Sequence, residues 1–222
     1  MSKKVISLDL WNTLIKISPS NTGFLTQFLS SNSDLEEQAI IKVVKKTGNY
    51  FDNRAITKGR EIPSMEKLSA LIVNSKAKLK AGELEQAIYE DLLTNPPLMI
   101  EPEELHKLAE HLSEKDIGFV TSSNSGFVSS KIMREVIDKI GITSLPAYID
   151  SYFSEEIGFA KPSKKFFEEI AKQHKLLMHI GDHPIADYKI VGVKSFLYDP
   201  RNMHTNSTRQ RINSLLEVIK LV

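Results

Sequence analysis

Cysteine is absent from the 222-residue chain, which excludes disulfides, thiolate metal sites and a thiol nucleophile without naming a compartment. Charge of one sign is not in excess either: 29 Lys and Arg stand against 28 Asp and Glu, a formal net charge of +1. Such a balance gives no general pull toward nucleic acid or an anionic membrane, and neither is expected as a partner. Long apolar runs are missing. No stretch approaches the length of a membrane span. The lysine-led start "MSKKVISLDLW" loses its apolar run at Asp9 after four residues, far short of a secretory h-region. A cytoplasmic protein is the expectation. What is present, 41% hydrophobic and 26% charged residues, is ordinary for a globular chain that forms one large domain or a core with a smaller companion.

From about residue 100 onward, strand and helix patterns alternate. "EPEELHKLAEHLSEK" has apolar residues at helical spacing and acids in its first turn, where they complement the helix dipole. "DIGFVT" (116–121) reads as a buried strand, and "GFVSSKIMREVIDKIGI" as a helix ending at Gly141. "KPSKKFFEEIAKQHK" is a helix with Pro162 near its start and Ser163 at the N-cap position. "LLMHI" (176–180) and "VKSFLY" (193–198) are further strands, and "STRQRINSLLEVIKLV" closes the chain as an amphipathic helix. This order predicts an α/β fold, a parallel sheet with helices on both faces. Residues 16–95 carry only helical patterns, flanked by the turn-rich joints "SPSNTG" and "NPP". They predict a small α-helical cap domain (16–95) set into a core domain (1–15 and 96–222).

Ligands in an open parallel sheet bind at the carboxyl ends of the strands, so those ends supply the candidates. "VISLDLWNTLI" ends its strand at Asp9, an aspartate that alone reads as a turn residue. "DIGFVT" ends at Thr121 and is followed by "SSNSG", "GFAKPS" places Lys161 before a proline, and "GDHPIAD" supplies Asp182 and Asp187. Lys161 alone is a surface lysine, "GDHP" a tight turn and the serines a polar loop. Together, a carboxylate, a hydroxyl, a lysine and an acidic pair make a coherent phosphate site: carboxylate oxygens suit Mg2+, and a lysine and hydroxyl balance a transferring phosphoryl group.

These segments resemble the motifs of the haloacid dehalogenase-like hydrolases, subfamily I, across nearly all of the core. "SLDLWNTLI" is similar to the first motif, "GFVTSSN" to the second, "SEEIGFAKPSKKFF" to the third and "HIGDHPIAD" to the fourth. The resemblance implies a Rossmann-like core in which Asp9 is the nucleophile and passes through an aspartyl-phosphate. It implies Thr121 and Lys161 as the catalytic hydroxyl and lysine, with a register shifted to Ser123 as the alternative. Thr13, Ser122, Ser123 and Asn124 would bind phosphate. Mg2+ would be held by Asp9, Asp182, Asp187 and the backbone carbonyl of Trp11. The helical insert lies where this subfamily carries its cap, and the substrate class is a small phosphorylated metabolite handled by a monomer or homodimer.

Trp11 departs from the pattern, which has a second Asp there to protonate the leaving oxygen; indole cannot, and the loss of such help costs ~10²–10⁴ in rate. Three readings follow. One is a Mg2+-dependent phosphatase that is slow, prefers good leaving groups or recruits another group such as His183. A second is a 2-haloacid dehalogenase, whose halide leaves without a proton. The third is a non-catalytic protein that binds a phosphorylated ligand or partner. In the insert, Arg54, Lys58 and Arg60 read first as a solvated helix end and second as contacts to an anionic substrate. His204, after the last strand, is a lone histidine near the expected pocket rim.

Overall fold

The structure, a computed structural model, describes all residues except 1, 22, 189, 191 and 205–209. Among the described residues the strands are β1 (Lys4–Asp9), β2 (Ile15–Lys16), β3 (Leu98–Met99), β4 (Ile117–Ser123), β5 (Tyr148–Phe153), β6 (Lys175–Gly181), β7 (Ser195–Tyr198) and β8 (Arg211–Ile212). The helices are α1 (Phe24–Ser31), α2 (Glu37–Lys58), α3 (Ser64–Ser75), α4 (Ala81–Thr94), α5 (Pro102–Glu114), α6 (Ser130–Lys139), α7 (Ser154–Ile157) and α8 (Lys164–Gln173).

Six strands form one parallel sheet in the order β5-β4-β1-β6-β7-β8. From β1 the chain proceeds to β4 and β5 on one side; from β6 it proceeds to β7 and β8 on the other. The loops leaving β1 and β6 therefore part in opposite directions and open a crevice at the carboxyl ends of the two central strands. Side chains alternate across a strand, and β1 divides its own between two cores. Ile6 and Leu8 join Phe119 and the α5 residues Leu105, Leu108 and Leu112. Val5 faces the other way, with Val120 and the α8 residues Phe166, Phe167 and Ile170. Apolar layers on both faces explain why the central strands read as short continuous hydrophobic runs.

Helices α1 to α4 lie between β2 and β3, which pair antiparallel through Ile15–Met99 and Lys16–Leu98 and so bring the two ends of the helical segment together. These helices pack in chain order against one another, and α4 also packs on α6. Their buried residues Leu29, Ile40, Leu68, Leu71 and Leu84 continue the larger apolar cluster. Glu155 ties the segment to the sheet by capping two helices at once. It accepts the Ser64 N–H of α3 at 2.6 Å and the Ser130 N–H of α6 at 2.8 Å.

Two expectations need correction. The closing amphipathic helix does not form: 205–209 lie outside the described residues, Arg211–Ile212 pair with β7, and Leu215–Lys220 make a 3-10 helix. The cause is local. Ser214 accepts the Leu216 N–H, and Glu217 accepts the Asn213 and Ser214 N–H groups, so a new helix starts at that point. Its buried residues, Leu215 and Val218, are three apart, which suits a 3-10 turn. The other omission is β5. Its "YIDSYF" sequence is half-buried at the sheet edge and mixes polar with apolar residues, so no clean strand pattern marks it. Ser163 does take the N-cap position of α8, without a side-chain cap bond.

Candidate active site

The first motif turns sharply after Asp9. The Leu14 and Ile15 N–H groups both donate to Leu10 O, at 2.9 Å each, and Asn12 N–H donates to Ile15 O at 2.7 Å. Asn12 carries a left-handed φ of 59°, which asparagine tolerates better than most residues. These bonds leave out the Trp11 carbonyl. Thr13 lies buried beneath the turn and donates to Asp9 Oδ2 at 3.3 Å.

Lys161 holds the centre. Its Nζ donates to Asp9 Oδ1 at 2.5 Å, to Asp187 Oδ1 at 2.6 Å and to the Ser122 carbonyl at 3.1 Å. Asp187 also accepts His179 Nε2–H at 2.9 Å and the His183 backbone N–H at 2.9 Å. Gly181 is obligatory in that packing, because a Cβ there would meet Asp187 Cγ at 2.3 Å. One oxygen from each of Asp9, Asp182 and Asp187 lies within 4.8 Å of the others.

Burial resists charge throughout this cluster, and the neighbours decide where charge survives. Burial raises Asp9 to about 8, with Asp187 and Asp182 adding to the effect and Lys161 opposing it. Burial and Asp187 push Asp182 up to about 6. Asp187 is also buried, but Lys161 and His179 outweigh burial and hold it well below the usual carboxylate range. Lys161, opposed by burial, is raised by Asp187 and Asp9 and stays charged. Burial lowers His179, leaving the imidazole neutral. Three carboxylates against one ammonium leave a formal charge of −2. A hard dication with oxygen ligands matches that charge and donor set, and Asp182 forms no ion pair among the described residues. The residues thus fit Mg2+.

The predicted phosphate-binding hydroxyls are sorted by the strand pleat. Asp9 is in register with Ser122, so the two share a face and Thr121 lies on the other. Thr121 donates to Ser151 Oγ at 2.6 Å within the sheet, so it does not join the Asp9 cluster. Ser122 is buried with its hydroxyl 2.8 Å from Ser7 Oγ, and meets Lys161 only through its carbonyl. Asn124 is a clamp on the Lys161 backbone: its Oδ1 accepts Lys161 N–H at 2.7 Å and its Nδ2 donates to Lys161 O at 3.0 Å. Among these hydroxyls Ser123, at the strand's end, opens onto a cavity.

Other residues escaped the sequence reading. His179 stands on the inward side of "LLMHI", linking Ser7 to Asp187; a histidine within an apolar strand was the available signal. Lys67, in α3, is buried against Glu61 at 2.6 Å and also donates to the Ser125 carbonyl, anchoring the loop after β4 from the helical segment. No local pattern marks that pair. Arg54, Lys58 and Arg60 are exposed, as a solvated helix end requires. His204 donates its backbone N–H to Asp199 Oδ2 at 2.9 Å. His183 Nδ1 accepts the Ile185 and Ala186 N–H groups at 3.2 and 3.0 Å, which ties the ring to its own turn.

On the far side of Trp11 lies a cavity of about 240 Å3 between the sheet's loops and the helical segment. Its walls are Trp11, Phe24, Ile88, Leu92, Phe127 and Met133 among others, with Ser123, Asn124 and Ser125 at one end. Among the described residues Asp91 is its sole ionisable lining residue, held by Asn95 Nδ2 at 3.0 Å.

Neither a protein-family model nor a curated protein matches the sequence. Solved structures do. YfnB of Bacillus subtilis, described as a HAD hydrolase and bound to magnesium, is 19% identical with a TM-score of 0.66, over 100% of this chain and 99% of that one. The L-2-haloacid dehalogenase of Xanthobacter autotrophicus is 10% identical with a TM-score of 0.62, over 99% and 98% of the two chains. The HAD family enzyme bt-2542 of Bacteroides thetaiotaomicron, in complex with magnesium and inorganic phosphate, is 14% identical with a TM-score of 0.51, over 93% and 100%. The chain has the haloacid dehalogenase-like hydrolase fold.

Proposed function

We propose that the protein is a magnesium-dependent phosphoric monoester hydrolase acting through Asp9. The observation that carries this reading is Lys161 bridging Asp9 and Asp187 with Asp182 alongside, a charge-deficient carboxylate cluster at the carboxyl ends of the central strands. Asp9, Asp182 and the Trp11 carbonyl, with Asp187 in support, would hold Mg2+, which would supply positive charge that keeps Asp9 ionised and offsets its repulsion from the phosphate. Asp9 attacks phosphorus; the ester P–O bond breaks, and the leaving oxygen departs with its electron pair. Water then attacks the aspartyl-phosphate, returning the Asp9 carboxylate and releasing inorganic phosphate and a proton. Splitting one displacement into two is what a carboxylate nucleophile contributes. Lys161 holds Asp9 in line and meets the phosphoryl oxygens, and Ser123 takes the hydroxyl role in place of Thr121. Residues 16–95 serve as a cap on the 1–15 and 96–222 core, closing over a small phosphorylated metabolite. The protein works in the cytoplasm as a monomer or homodimer, with neither nucleic acid nor membrane as partner.

A second reading, a non-catalytic binding protein, is favoured by Trp11, which sets an indole where the leaving oxygen needs a proton. Hydrolysis of acetyl phosphate with and without Mg2+ separates the two. Turnover that needs Mg2+ and is abolished by Asp9→Asn is expected. Activity unchanged in Asp9→Asn rejects the mechanism, and phosphate binding without any turnover supports the second reading.

A further inference from the structure

We infer that the Trp11 cavity accepts a small uncharged aromatic group, so that the substrate class is a phenol-type phosphate monoester. The inference rests on the phosphatase reading and names the substrate of that site. Three properties of the cavity lead to it. The first is size: at about 240 Å3 it exceeds the roughly 150 Å3 apolar cavity that holds benzene. The second is polarity. Away from Ser123, Asn124, Ser125 and the carboxylate of Asp91 the described walls are aromatic and aliphatic, so most hydroxyls of a sugar buried there would lack a partner. The third is charge. Among the described residues no lysine, arginine or histidine lines the cavity, and Asp91 repels an anion, which disfavours bisphosphates and haloacid carboxylates alike.

The same walls bear on the chemistry. Neither the indole of Trp11 nor any apolar neighbour can protonate a departing oxygen. An alkoxide leaving group needs that proton in the transition state, whereas a phenolate departs with the electron pair of the broken P–O bond and takes its proton from water afterwards. What the cavity can hold and what the site can release without an acid are thus the same group.

Trp11 is the only tryptophan, so its fluorescence reports on the cavity without background. The experiment titrates the full chain in Mg2+ with phenylphosphonate and with methylphosphonate, following that emission, and in parallel compares hydrolysis of phenyl phosphate, glucose 6-phosphate and acetyl phosphate. Phenylphosphonate is expected to bind at least tenfold more tightly and to shift the emission, and phenyl phosphate to exceed glucose 6-phosphate in kcat/KM by a hundredfold or more. Ile88→Phe, which fills the cavity, is expected to bring the two phosphonates within threefold of each other. If that variant misfolds, Gly126→Leu serves. Gly126 also lines the cavity, and a Cβ there meets nothing within 4 Å. Equal affinity for the two phosphonates overturns the inference, as does a phenyl advantage that survives in the folded filling variant. Asp9-dependent acetyl phosphate hydrolysis without a phenyl preference defeats the aromatic assignment alone. Tight phenylphosphonate binding with no ester turned over keeps the cavity's ligand class and defeats the phosphatase reading instead.

Discussion

Asp9 and Trp11 are two residues apart and stand at the edges of two opposite environments. Behind Asp9 lies a buried cluster in which Lys161, His179 and the Ser122 carbonyl assign nearly every polar atom a partner. Beyond Trp11 lies an apolar cavity with one carboxylate in its lining. The first environment is electrostatically overdetermined and tolerates almost no change; the second is shaped by bulk and tolerates substitution at graded cost. On the proposed reading, chemistry and selectivity are divided between the two sides of one turn.

The charged side breaks most readily at Lys161. Lys161→Met leaves Asp9 and Asp187 buried without their cation, which typically costs about 3–5 kcal/mol, or about 6–20 °C in Tm for a chain of this length. Hydrolysis should vanish. Because Asp9 is raised to about 8, it is already protonated at pH 5. The Tm deficit should therefore be smaller at pH 5 than at pH 8.5. Equal deficits at both would mean that the pair is not what holds the cluster.

Metal and pH sharpen the comparison next. A carboxyl raised on folding adds stability that is fully present below its unfolded value and lost as pH rises through its folded one. Asp9 and Asp182 therefore make the metal-free protein less stable between pH 3.8 and about 8. Mg2+ should restore that loss, raising Tm by several degrees at pH 8.5 and little at pH 5. Asp182→Asn should raise Tm of the metal-free protein at pH 8.5 and cancel the Mg2+ effect. Thermal scans with EDTA or Mg2+ at the two pH values check both, and a Mg2+ shift independent of pH contradicts the proposed ligands.

A smaller effect is expected at Asn124, which holds Lys161 by its backbone. Asn124→Ala removes both bonds, for a loss of about 1–3 kcal/mol and roughly tenfold in kcat if the lysine swings out of line. A fall in Tm with kcat unchanged would show that the ion pairs alone position Lys161.

Legibility in the sequence follows the same division. The four central strands of the sheet and the helical segment could be read because their signals are local: short apolar runs, and periodicity without turns. Asp9 and Asp182 were legible because each stands at or just after a strand end, and Lys161 and Asp187 because they fall in the proline-marked loops "GFAKPS" and "GDHPIAD". The edge strand β5 was not, since half-exposed pairing at a sheet edge leaves no clean alternation. Nor were Lys67 and Glu61, whose burial depends on a contact between α3 and the loop after β4. The cavity was unreadable for the same reason: Phe24, Ile88 and Phe127 meet only in three dimensions. The choice among Thr121, Ser122 and Ser123 stayed ambiguous because three consecutive hydroxyl residues look alike in sequence, and only the fold shows which hydroxyls are already bonded.

That ambiguity supplies the smallest test and the finest one. Thr121, Ser122 and Ser123 differ in what their hydroxyls already touch. Thr121 donates to Ser151 Oγ at 2.6 Å, and Ser151 lies 2.9 Å from Tyr148 OH, so the threonine is part of a lateral network joining β4 to β5. Thr121→Val keeps the shape and removes one donor, which should cost about 0.5–1.5 kcal/mol and leave kcat within about twofold. Among the described residues Ser123 Oγ makes only a 3.3 Å bond to the neighbouring Asn124 carbonyl, and Ser123 lines the cavity. Ser123→Ala should therefore leave Tm almost unchanged and lower kcat by roughly 10-fold or more, because a lost donor to the transferring phosphoryl group acts on the transition state. Steady-state kinetics with an aryl phosphate and a thermal scan on each variant give the comparison directly. If Thr121→Val loses turnover and Ser123→Ala does not, Thr121 supplies the catalytic hydroxyl rather than Ser123, which shares its face of β4 two residues on. The catalytic hydroxyl would then have to break its bond to Ser151 before it could act.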